Sequence, residues 1–370
     1  MGLRTLHIDA GREWRGGQRQ VWLLAQGLRA RGHEPLVVGI PDSPLLQRLR
    51  ARGIAVAAVS MRADWDLRAA RRIRALIRAW RPDVVHAHDA RGHAIAIAAL
   101  LGSQVPLVVT RRVAFIPKSV RFKYGRRVAR FIAISNAVRD AMMRGGVARD
   151  RIDVVFSGVP TPEVKHPRDW RRECDWPDDA VLLGVVGAMT AEKGIGLLTE
   201  VAQRLPAAAR ARARLVLLGG QSSGRCNIGG LEAYRAGFVD EIHAAMSGLD
   251  ILLHPSSAEG LGTAVVDAMA LGLPPVAFAV GGLVELVQHE RNGLLVAAGD
   301  AVAFADAAAR LITDEDLRRR LGNLGPSRAA EFDVESMVRG TEEVYGNVLA
   351  TGQPPVVQHE GIGSRGAETR

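Results

Sequence analysis

Short apolar runs alternate with amphipathic helical patterns over the first 156 residues, and after a break the alternation starts again. The first series includes residues 36–40, 54–59 and 107–110, and the second begins at Val181–Val186. This alternation is typical of parallel strands joined by right-handed helical crossovers. At 370 residues the chain is long enough for two such domains. The sequence therefore predicts an α/β fold with two Rossmann-like, doubly wound domains that face each other across a cleft.

The break in the pattern contains four prolines among charged residues, Pro160, Pro162, Pro167 and Pro177. We interpret this region as an interdomain linker. The expected organisation is a first domain over residues 1–165, a linker over 166–179 and a second domain over 180–333. A helix over 334–350 is expected to pack across the interface, and residues 351–370 are expected to form a disordered tail.

The net charge of +10 is unevenly distributed along the chain. Residues 1–170 hold 31 Lys and Arg against 13 Asp and Glu, a balance of +18, whereas the remainder has a balance of −8. This asymmetry indicates a basic surface on the first domain that meets an anionic partner. No apolar run approaches the ~20 residues that a bilayer requires, and the two cysteines lack metal-ligand spacing. We expect a cytoplasmic protein.

The most informative candidate site follows the apolar run 251–254. It contains, in order, His254, Glu259, Gly260, Leu261, Gly262, Thr263 and Asp267. Glycines before a helix start let backbone N–H groups approach a phosphate, so this loop predicts a diphosphate cradle. One of the two acids, Glu259 and Asp267, could lie near a reacting sugar, and the other could bind the hydroxyls of a ribose. The alternative is that both acids only cap and solvate the helix.

Several spaced segments resemble family-4 retaining glycosyltransferases, which have the GT-B fold. In the second half these segments are EKG at 192–194, EGLG at 259–262, GGLVE at 281–285 and NGLLV at 292–296. In the first half they are GGQRQ at 16–20, DVVHAH at 83–88 and ISNAV at 134–138. The resemblance extends over nearly the whole chain and implies transfer of a sugar from a nucleotide-sugar donor.

The resemblance also implies roles for individual residues. Glu259 would lie beside the transferred sugar, and Asp267 would hold the 2′- and 3′-hydroxyls of the ribose, where the family usually has the longer Glu. Lys193 would stabilise the diphosphate as it leaves. The family commonly has an Arg after the glycine at 187, whereas this chain has Ala188. Either Arg111 or Arg112 completes the phosphate site, or the donor is bound more weakly.

Further donor contacts are implied at His88, Gly17, Phe238 and Val239. His88 would lie against the transferred sugar, and Gly17 would approach the leaving phosphate or the acceptor hydroxyl. Phe238 and Val239 match a segment whose backbone flanks the nucleobase. The alternatives are that His88 is a hydrogen-bonded core residue, that Gly17 only forms a tight turn, and that Phe238 packs in the core of a strand.

The resemblance implies a retaining, metal-independent hexosyltransferase without a cofactor, in which the departing phosphate takes the proton of the acceptor hydroxyl. Its acceptor would be a lipid-linked or cell-envelope glycan, as in lipopolysaccharide or glycolipid biosynthesis. A basic segment containing Arg111, Arg112, Lys118, Arg121 and Lys123 predicts an acceptor-binding or membrane-facing surface, with anionic headgroups on the inner face of the cytoplasmic membrane as its partner. The alternative is an ordinary solvated arginine-rich face.

The same residues are compatible to different degrees with other classes of protein. A nucleotide-sugar epimerase with the GT-B fold and a non-catalytic sugar-nucleotide-binding homologue both stay open. A dinucleotide-dependent oxidoreductase is disfavoured because no GxGxxG follows the first strand of either domain. A nucleic-acid partner is disfavoured because no binding module is recognisable. The acidic pair Asp64 and Asp66 resembles a metal motif, but helix capping explains it better.

Overall fold

The computed structural model describes residues 2–117 and 123–351, which form two β-sheets flanked by helices. The first sheet has the parallel order β3-β2-β1-β4-β5-β6-β7. Its strands are β1 (Arg4–Ile8), β2 (Glu34–Gly39), β3 (Ala55–Ala58), β4 (Val84–Ala87), β5 (Leu107–Arg111), β6 (Val128–Ala133) and β7 (Ile152–Val154). The strand order reverses between β1 and β4, where ligands of doubly wound sheets bind beyond the carboxyl ends. Asp9 and His88 directly follow these two strands.

The helices of the first domain begin at polar caps or glycines. They are α1 (Gly16–Ala30), α2 (Pro44–Ala51), α3 (Leu67–Trp80), α4 (Ala90–Ala99) and α5 (Asn136–Arg144). Asp66 accepts hydrogen bonds from the backbone N–H groups of Arg68 and Ala69 at 3.1 and 3.0 Å, so it caps α3. Its role is therefore the helix capping that the sequence favoured over a metal motif.

The second sheet has the order β10-β9-β8-β11-β12-β13. Its strands are β8 (Val181–Val186), β9 (Ala213–Ile228), β10 (Leu231–Gly237), β11 (Ile251–His254), β12 (Pro275–Phe278) and β13 (Leu294–Val296). All pairs are parallel except β9 and β10. Neither the β9–β10 hairpin nor β13 was predicted from the sequence. Gly219, Gly220 and Gly224 are typical of a loop, yet the irregular hairpin accommodates all three at positive φ.

Helices pack on both faces of the second sheet. They are α6 (Trp170–Glu173), α7 (Ile195–Arg204), α8 (Ala207–Arg212), α9 (Ile242–Met246), α10 (Thr263–Ala270), α11 (Leu283–Leu286), α12 (Ala301–Thr313), α13 (Glu315–Asn323) and α14 (Gly325–Ala329). Single 3₁₀ turns occur at Arg149–Arg151, Ala191–Lys193 and Ala330–Phe332. The rings of Phe278 on β12 and Phe304 on α12 have centroids 4.9 Å apart and join the sheet to this helix layer.

The segment expected to be a linker, residues 166–179, packs on the second domain. Trp170 is fully buried, and its indole Nε1 donates a hydrogen bond to the carbonyl oxygen of Ala245 at 2.7 Å. Arg171 forms an ion pair with Asp250 at 2.6 Å. The segment between the two domains is therefore anchored to the second domain, with Trp170 and Cys174 buried among its apolar side chains.

The last helix, α15 (Val334–Ala350), lies against the first domain although it follows the second. The hydroxyl of Tyr345 is 2.6 Å from His86 Nδ1 on β4. A Cβ added to Gly27 on α1 would lie 2.4 Å from Val338 Cγ2, so the two helices are in close contact. Of the predicted tail, residues 351–370, only Thr351 belongs to the described part. Among the described residues, no helix is both long and apolar enough to cross a membrane.

Candidate active site

Glu259 lies at the centre of a polar cluster beyond the carboxyl end of β11. Its Oε1 atom is 2.8 Å from His254 Nε2 and forms an ion pair with Lys193 Nζ. The side chain of Glu259 is 10% exposed and that of Lys193 is 30% exposed, so the cation has the better access to a ligand. The structure thus brings together two residues that lie 66 positions apart and that the sequence assigned to one donor site.

Opposing effects set the charge of Glu259. Burial raises its pKa, but the hydrogen bond and charge of His254 and the charge of Lys193 outweigh burial and lower the pKa to about 2. The carboxylate is therefore ionised at neutral pH. A fixed negative charge of this kind stabilises a positively charged carbon that forms beside it.

Two glycines allow three backbone segments to meet at Glu259. A Cβ at Gly281, which has φ +51°, would lie 1.8 Å from the carbonyl oxygen of Glu259. A Cβ at Gly260 would lie 2.0 Å from the carbonyl oxygen of Arg112, which follows β5 of the first domain. Because only glycine fits at these contacts, the loop containing Glu259 is held between a loop of its own domain and the opposite domain.

The starts of α1 and α10 face each other across the cleft. A Cβ at Gly16 would lie 3.8 Å from Thr263 Oγ1, the side chain of the first residue of α10. Neither helix has a side-chain cap, and the N-cap residue of α10 is Gly262 at φ +101°. Uncapped N–H groups at helix starts attract anions, so a phosphate between these helices would meet donors from both domains.

Asp267 is engaged by residues of both domains. Arg19 on α1 donates two hydrogen bonds to its carboxylate at 2.6 and 3.0 Å, and His243 Nε2 on α9 is 2.6 Å from Asp267 Oδ1. Burial raises the pKa of Asp267, but these partners lower it below the ordinary value. The role of Asp267 in holding ribose hydroxyls stays a prediction, and it requires the ribose to displace Arg19 or His243.

His88 lies in a buried cluster of three histidines at the strand ends. His88 Nε2 is 3.0 Å from His7 Nδ1, and the rings of His86 and His88 have centroids 4.0 Å apart. Burial, and next the neighbouring histidines, lower the pKa of His88 well below 6.5. His88 is therefore neutral at pH 7, and its Nδ1 has no partner among the described residues.

The three histidines also form the group whose geometry comes closest to a metal site, with ligand atoms within 4.8 Å of one another. Hydrogen bonds already engage most of their ring nitrogens. His7 Nε2 is 2.9 Å from Thr5 Oγ1, and the ring nitrogens of His86 contact the hydroxyls of Tyr345 and Thr110 at 2.6 and 2.7 Å. This donor set fits a hydrogen-bonded network better than it fits a coordinated ion.

Phe238 and Val239 follow the end of β10. The ring of Phe238 is 56% exposed, so the interpretation of Phe238 as a packed core residue is wrong. Its exposure results from Gly237, which turns the chain at φ +67° directly after the strand. A position beside the nucleobase stays a prediction for both residues.

The described residues of the basic segment after β5 do not share one surface. Arg111 donates hydrogen bonds to the hydroxyl of Tyr124 and the carbonyl oxygen of Phe115, and Lys123 Nζ is 2.7 Å from Asp64 Oδ2. Arg112 instead enters the cleft, since a Cβ at Gly17 would lie 3.7 Å from its Cδ. Lys118 and Arg121 lie outside the described residues.

Some residues of the site were not identified from the sequence. His254 was named in the candidate loop but was given no role, although it ends β11 directly before the other residues of that loop. Asp9 follows β1, and burial and then the charge of Asp89 raise its pKa to about 6. Arg19 lies in the quoted GGQRQ segment, but no local pattern indicates its pairing with Asp267, which is 248 positions away. The contact of His243 with Asp267, 24 positions away, has no local signal either.

Two family models match the chain, one for each domain. The model described as Glycosyltransferase Family 4 matches residues 14–163, and the model described as Glycosyl transferases group 1 matches residues 167–328. Together they cover the second sheet and every strand of the first sheet except β1, including the segments that contain Gly17, Lys193 and Glu259.

Curated relatives carry the same activity in their names. The D-inositol 3-phosphate glycosyltransferase of Xylanimonas cellulosilytica is 29% identical over 301 residues, which are 71% of this chain and 71% of that protein. The 2-deoxystreptamine N-acetyl-D-glucosaminyltransferase of Streptomyces fradiae is 29% identical over 383 aligned residues, covering 88% of this chain and 90% of the relative.

The fold is shared with solved structures. The Anabaena protein HepE, solved in complex with UDP and glucose, aligns with a TM-score of 0.79 at 20% identity and covers 93% of this chain and 100% of that chain. The two-domain architecture predicted from the sequence is confirmed by this similarity. With both family models matched and the relatives agreeing, the chain belongs to the family-4, group 1 glycosyltransferases of the GT-B fold.

Proposed function

We propose that this glycosyltransferase uses a nucleoside diphosphate sugar as donor and transfers the sugar with retention of anomeric configuration. The observation that carries the proposal is the ion pair of Lys193 and Glu259 beside the uncapped start of α10. This arrangement offers an accessible cation and helix-start amides for a diphosphate, and an ionised carboxylate for the sugar that leaves it.

The chemistry follows from the distribution of charge. As the bond between the sugar and the diphosphate breaks, negative charge accumulates on the phosphate and positive charge on the anomeric carbon. Lys193 and the N–H groups at Thr263 stabilise the negative charge on the phosphate, and Glu259 stabilises the positive charge on the anomeric carbon. A departing phosphate oxygen accepts the proton of the acceptor hydroxyl, which attacks on the same face. This route requires neither a metal ion nor a covalent carboxylate ester.

The donor is proposed from the site and from the comparisons. The structure of HepE was solved with UDP and glucose, which makes a uridine diphosphate hexose the first donor to test. We propose that Asp267 binds the ribose hydroxyls after it exchanges Arg19 or His243 for them. Phe238 is placed beside the base, because its exposed ring at the end of β10 is available for contact.

The acceptor is proposed to bind the first domain. We propose a lipid-linked or cell-envelope glycan that the enzyme reaches as a peripheral protein at the inner face of the cytoplasmic membrane. The basic charge of residues 1–170 and the exposed side chains of Phe115 and Ile116, 53% and 55% exposed, support this location. His88 would contact the transferred sugar from the strand ends of the same domain.

A donor panel tests the proposed function. UDP-, GDP- and ADP-sugars are screened by thermal shift, and products formed with glycan acceptors are identified by mass spectrometry. We expect one donor class to raise the melting temperature and to be consumed in the presence of EDTA, with the α-linkage of an α-configured donor kept in the product by NMR. An inverted product would reject retention, and loss of turnover with EDTA would reject metal independence.

Flotation tests the proposed membrane contact separately. The protein is expected to float with vesicles that contain anionic phospholipid and to stay in the dense fraction with neutral vesicles. High salt should release it, because the attraction is electrostatic. Failure to bind anionic vesicles at low salt would leave the transferase activity intact and reject the peripheral location.

A further inference from the structure

Arg112 carries a guanidinium group without a hydrogen-bonding partner. Its Nε is buried and has no acceptor, and within the described part of the chain neither terminal nitrogen takes part in a hydrogen bond or an ion pair. Burial lowers the pKa of Arg112, and the charges of Asp9 and Asp89 partly offset this effect, so that the resulting pKa is about 10. The guanidinium group is therefore charged at pH 7. A partly buried cation whose Nε has no protein acceptor is available to an anionic ligand that can supply one.

The position of Arg112 is the cleft between the domains. Its Cδ is 3.7 Å from where a Cβ of Gly17 would be, and its carbonyl oxygen contacts Gly260 of the loop that contains Glu259. The adjoining Gly16 faces Thr263 at the start of α10. Arg112 is thus surrounded by the same three elements that form the candidate phosphate site.

The two acids near Arg112 are committed to other donors. Asp89 caps α4 through the N–H groups of Arg91 and Gly92, both at 2.9 Å, and accepts a hydrogen bond from the N–H of Ala10. Asp9 accepts hydrogen bonds from Gln18 Nε2 at 3.0 and 3.2 Å. The negative charges of Asp9 and Asp89 favour a positive charge on Arg112, but the two carboxylates accept no hydrogen bond from its guanidinium group.

The loop of the second domain that faces the site offers one cation at positions 187–194. Position 188, next to Gly187, is Ala, and Lys193 is the cation of that loop. We propose that Arg112, supplied by the first domain, is a donor-binding residue that contacts the diphosphate in place of a cation at position 188. The inference rests on the proposed nucleoside diphosphate donor. With this role for Arg112, the phosphate site is complete only when both domains contribute residues to it.

Arg111 provides a matched control, because it is the neighbouring arginine and its guanidinium is already bonded to Tyr124 and Phe115. Isothermal titration of the wild type with UDP, GDP and ADP selects the diphosphate that binds best. For Arg112→Ala we expect its affinity to fall about 10- to 100-fold, the usual effect of losing hydrogen bonds to a charged group. Affinity for the corresponding nucleoside should change less than about twofold, and Arg111→Ala should bind the diphosphate like the wild type.

The titrations distinguish a failure of the proposed function from a failure of the role proposed for Arg112. If the wild type binds none of the diphosphates, the proposed function fails. If the wild type binds one and Arg112→Ala binds it equally well, only the role of Arg112 is overturned. An equal loss of diphosphate and nucleoside binding would identify a structural role and overturn it as well.

A second variant separates charge from folding. Ala188 is adjacent to Gly187, and a Cβ at Gly187 would lie 3.8 Å from Lys193 Cε, so a side chain at 188 starts close to the same site. We expect Ala188→Arg to restore most of the diphosphate affinity of Arg112→Ala by returning a cation from the other domain. A double variant that stays as weak as Arg112→Ala, with an unchanged melting temperature, would contradict the exchange of one cation for the other.

Discussion

Arg19 of the first domain and Asp267 of the second form a two-point ion pair, with nitrogen–oxygen distances of 2.6 and 3.0 Å. The Asp267 side chain is 3% exposed and that of Arg19 is 18% exposed, so the pair is largely removed from water. Two parallel N–H···O bonds fix the relative orientation of α1 and α10. This contact therefore joins the domains at the point where we propose that the ribose binds.

Removing Arg19 should destabilise the protein. In Arg19→Ala the carboxylate of Asp267 still contacts His243 but no longer has the positively charged guanidinium beside it. Removing one partner of a buried ion pair costs about 3 to 5 kcal/mol. We expect the free energy of unfolding, measured with urea, to fall by about 3 kcal/mol. Arg19→Ala combined with Asp267→Ala should cost less than the sum of the single changes. Additive effects would mean that the pair does not couple the domains.

Glu259 offers the most direct test of the catalytic assignment. Glu259→Gln keeps the shape and the contact with His254 but removes the negative charge, so we expect a folded protein whose kcat falls at least 1,000-fold, a loss of about 4 kcal/mol of transition-state stabilisation. Glu200→Gln on the exposed face of α7 is the control and should turn over like the wild type. Near-normal turnover of Glu259→Gln would reject the proposed role of its charge.

Elements of regular pattern were predictable from the sequence. The strands Val181–Val186 and Ile251–His254 have the predicted bounds, because each is a clear apolar run with a polar or glycine boundary. The β9–β10 hairpin was missed, since its glycines and polar residues are typical of a loop. Its strands are defined by pairing with each other, which a local pattern does not contain.

The residues of the candidate site also fall into two groups, those that a local motif predicts and those that only the folded chain brings together. Lys193 and Glu259 were assigned to one site because the motifs that contain them resemble the donor-binding segments of the family. The pairing of Arg19 with Asp267 joins residues 248 positions apart and depends on how the two domains face each other. The same holds for Arg112, whose neighbour in sequence, Arg111, has an entirely different environment. Domain-to-domain contacts are the part that sequence reasoning could not supply.

Gly281 tests the packing around Glu259. Both Gly281 and Gly299 have positive φ, +51° and +79°, but a Cβ at Gly281 would lie 1.8 Å from the carbonyl oxygen of Glu259, whereas a Cβ at Gly299 meets nothing within 4 Å. Gly299→Ala should cost about 1 kcal/mol of unfolding free energy through backbone strain alone. Gly281→Ala should cost more and also lower kcat, because the Glu259 loop must shift. Equal stability and activity of the two variants would contradict this contact.

Buried histidines should make the protein sensitive to acid. Burial lowers the pKa of His7 to about 3 and that of His93 to about 4, and it lowers the pKa values of His86 and His88 well below 6.5. Below pH 6.5 the unfolded chain therefore binds protons that the folded chain does not. Their contribution to stability is present above pH 6.5 and is lost as the pH falls toward the folded pKa values.

His93 isolates one of these contributions, because it lies outside the proposed site. Its ring packs against Tyr124 and Phe131 with centroids 5.6 and 6.3 Å away, and its Nε2 has no hydrogen-bond partner among the described residues, so His93→Phe replaces it with an apolar ring in an aromatic environment. Between pH 6 and 4.5 the free energy of unfolding should fall less steeply in the variant, by about 1.4 kcal/mol per pH unit. Urea unfolding at pH 8, 6 and 5 measures this slope, and the value at pH 8 separates packing from protonation. Parallel pH profiles for the two proteins would show that His93 titrates alike in the folded and unfolded chains, because only a difference in proton binding between those two states can change the slope.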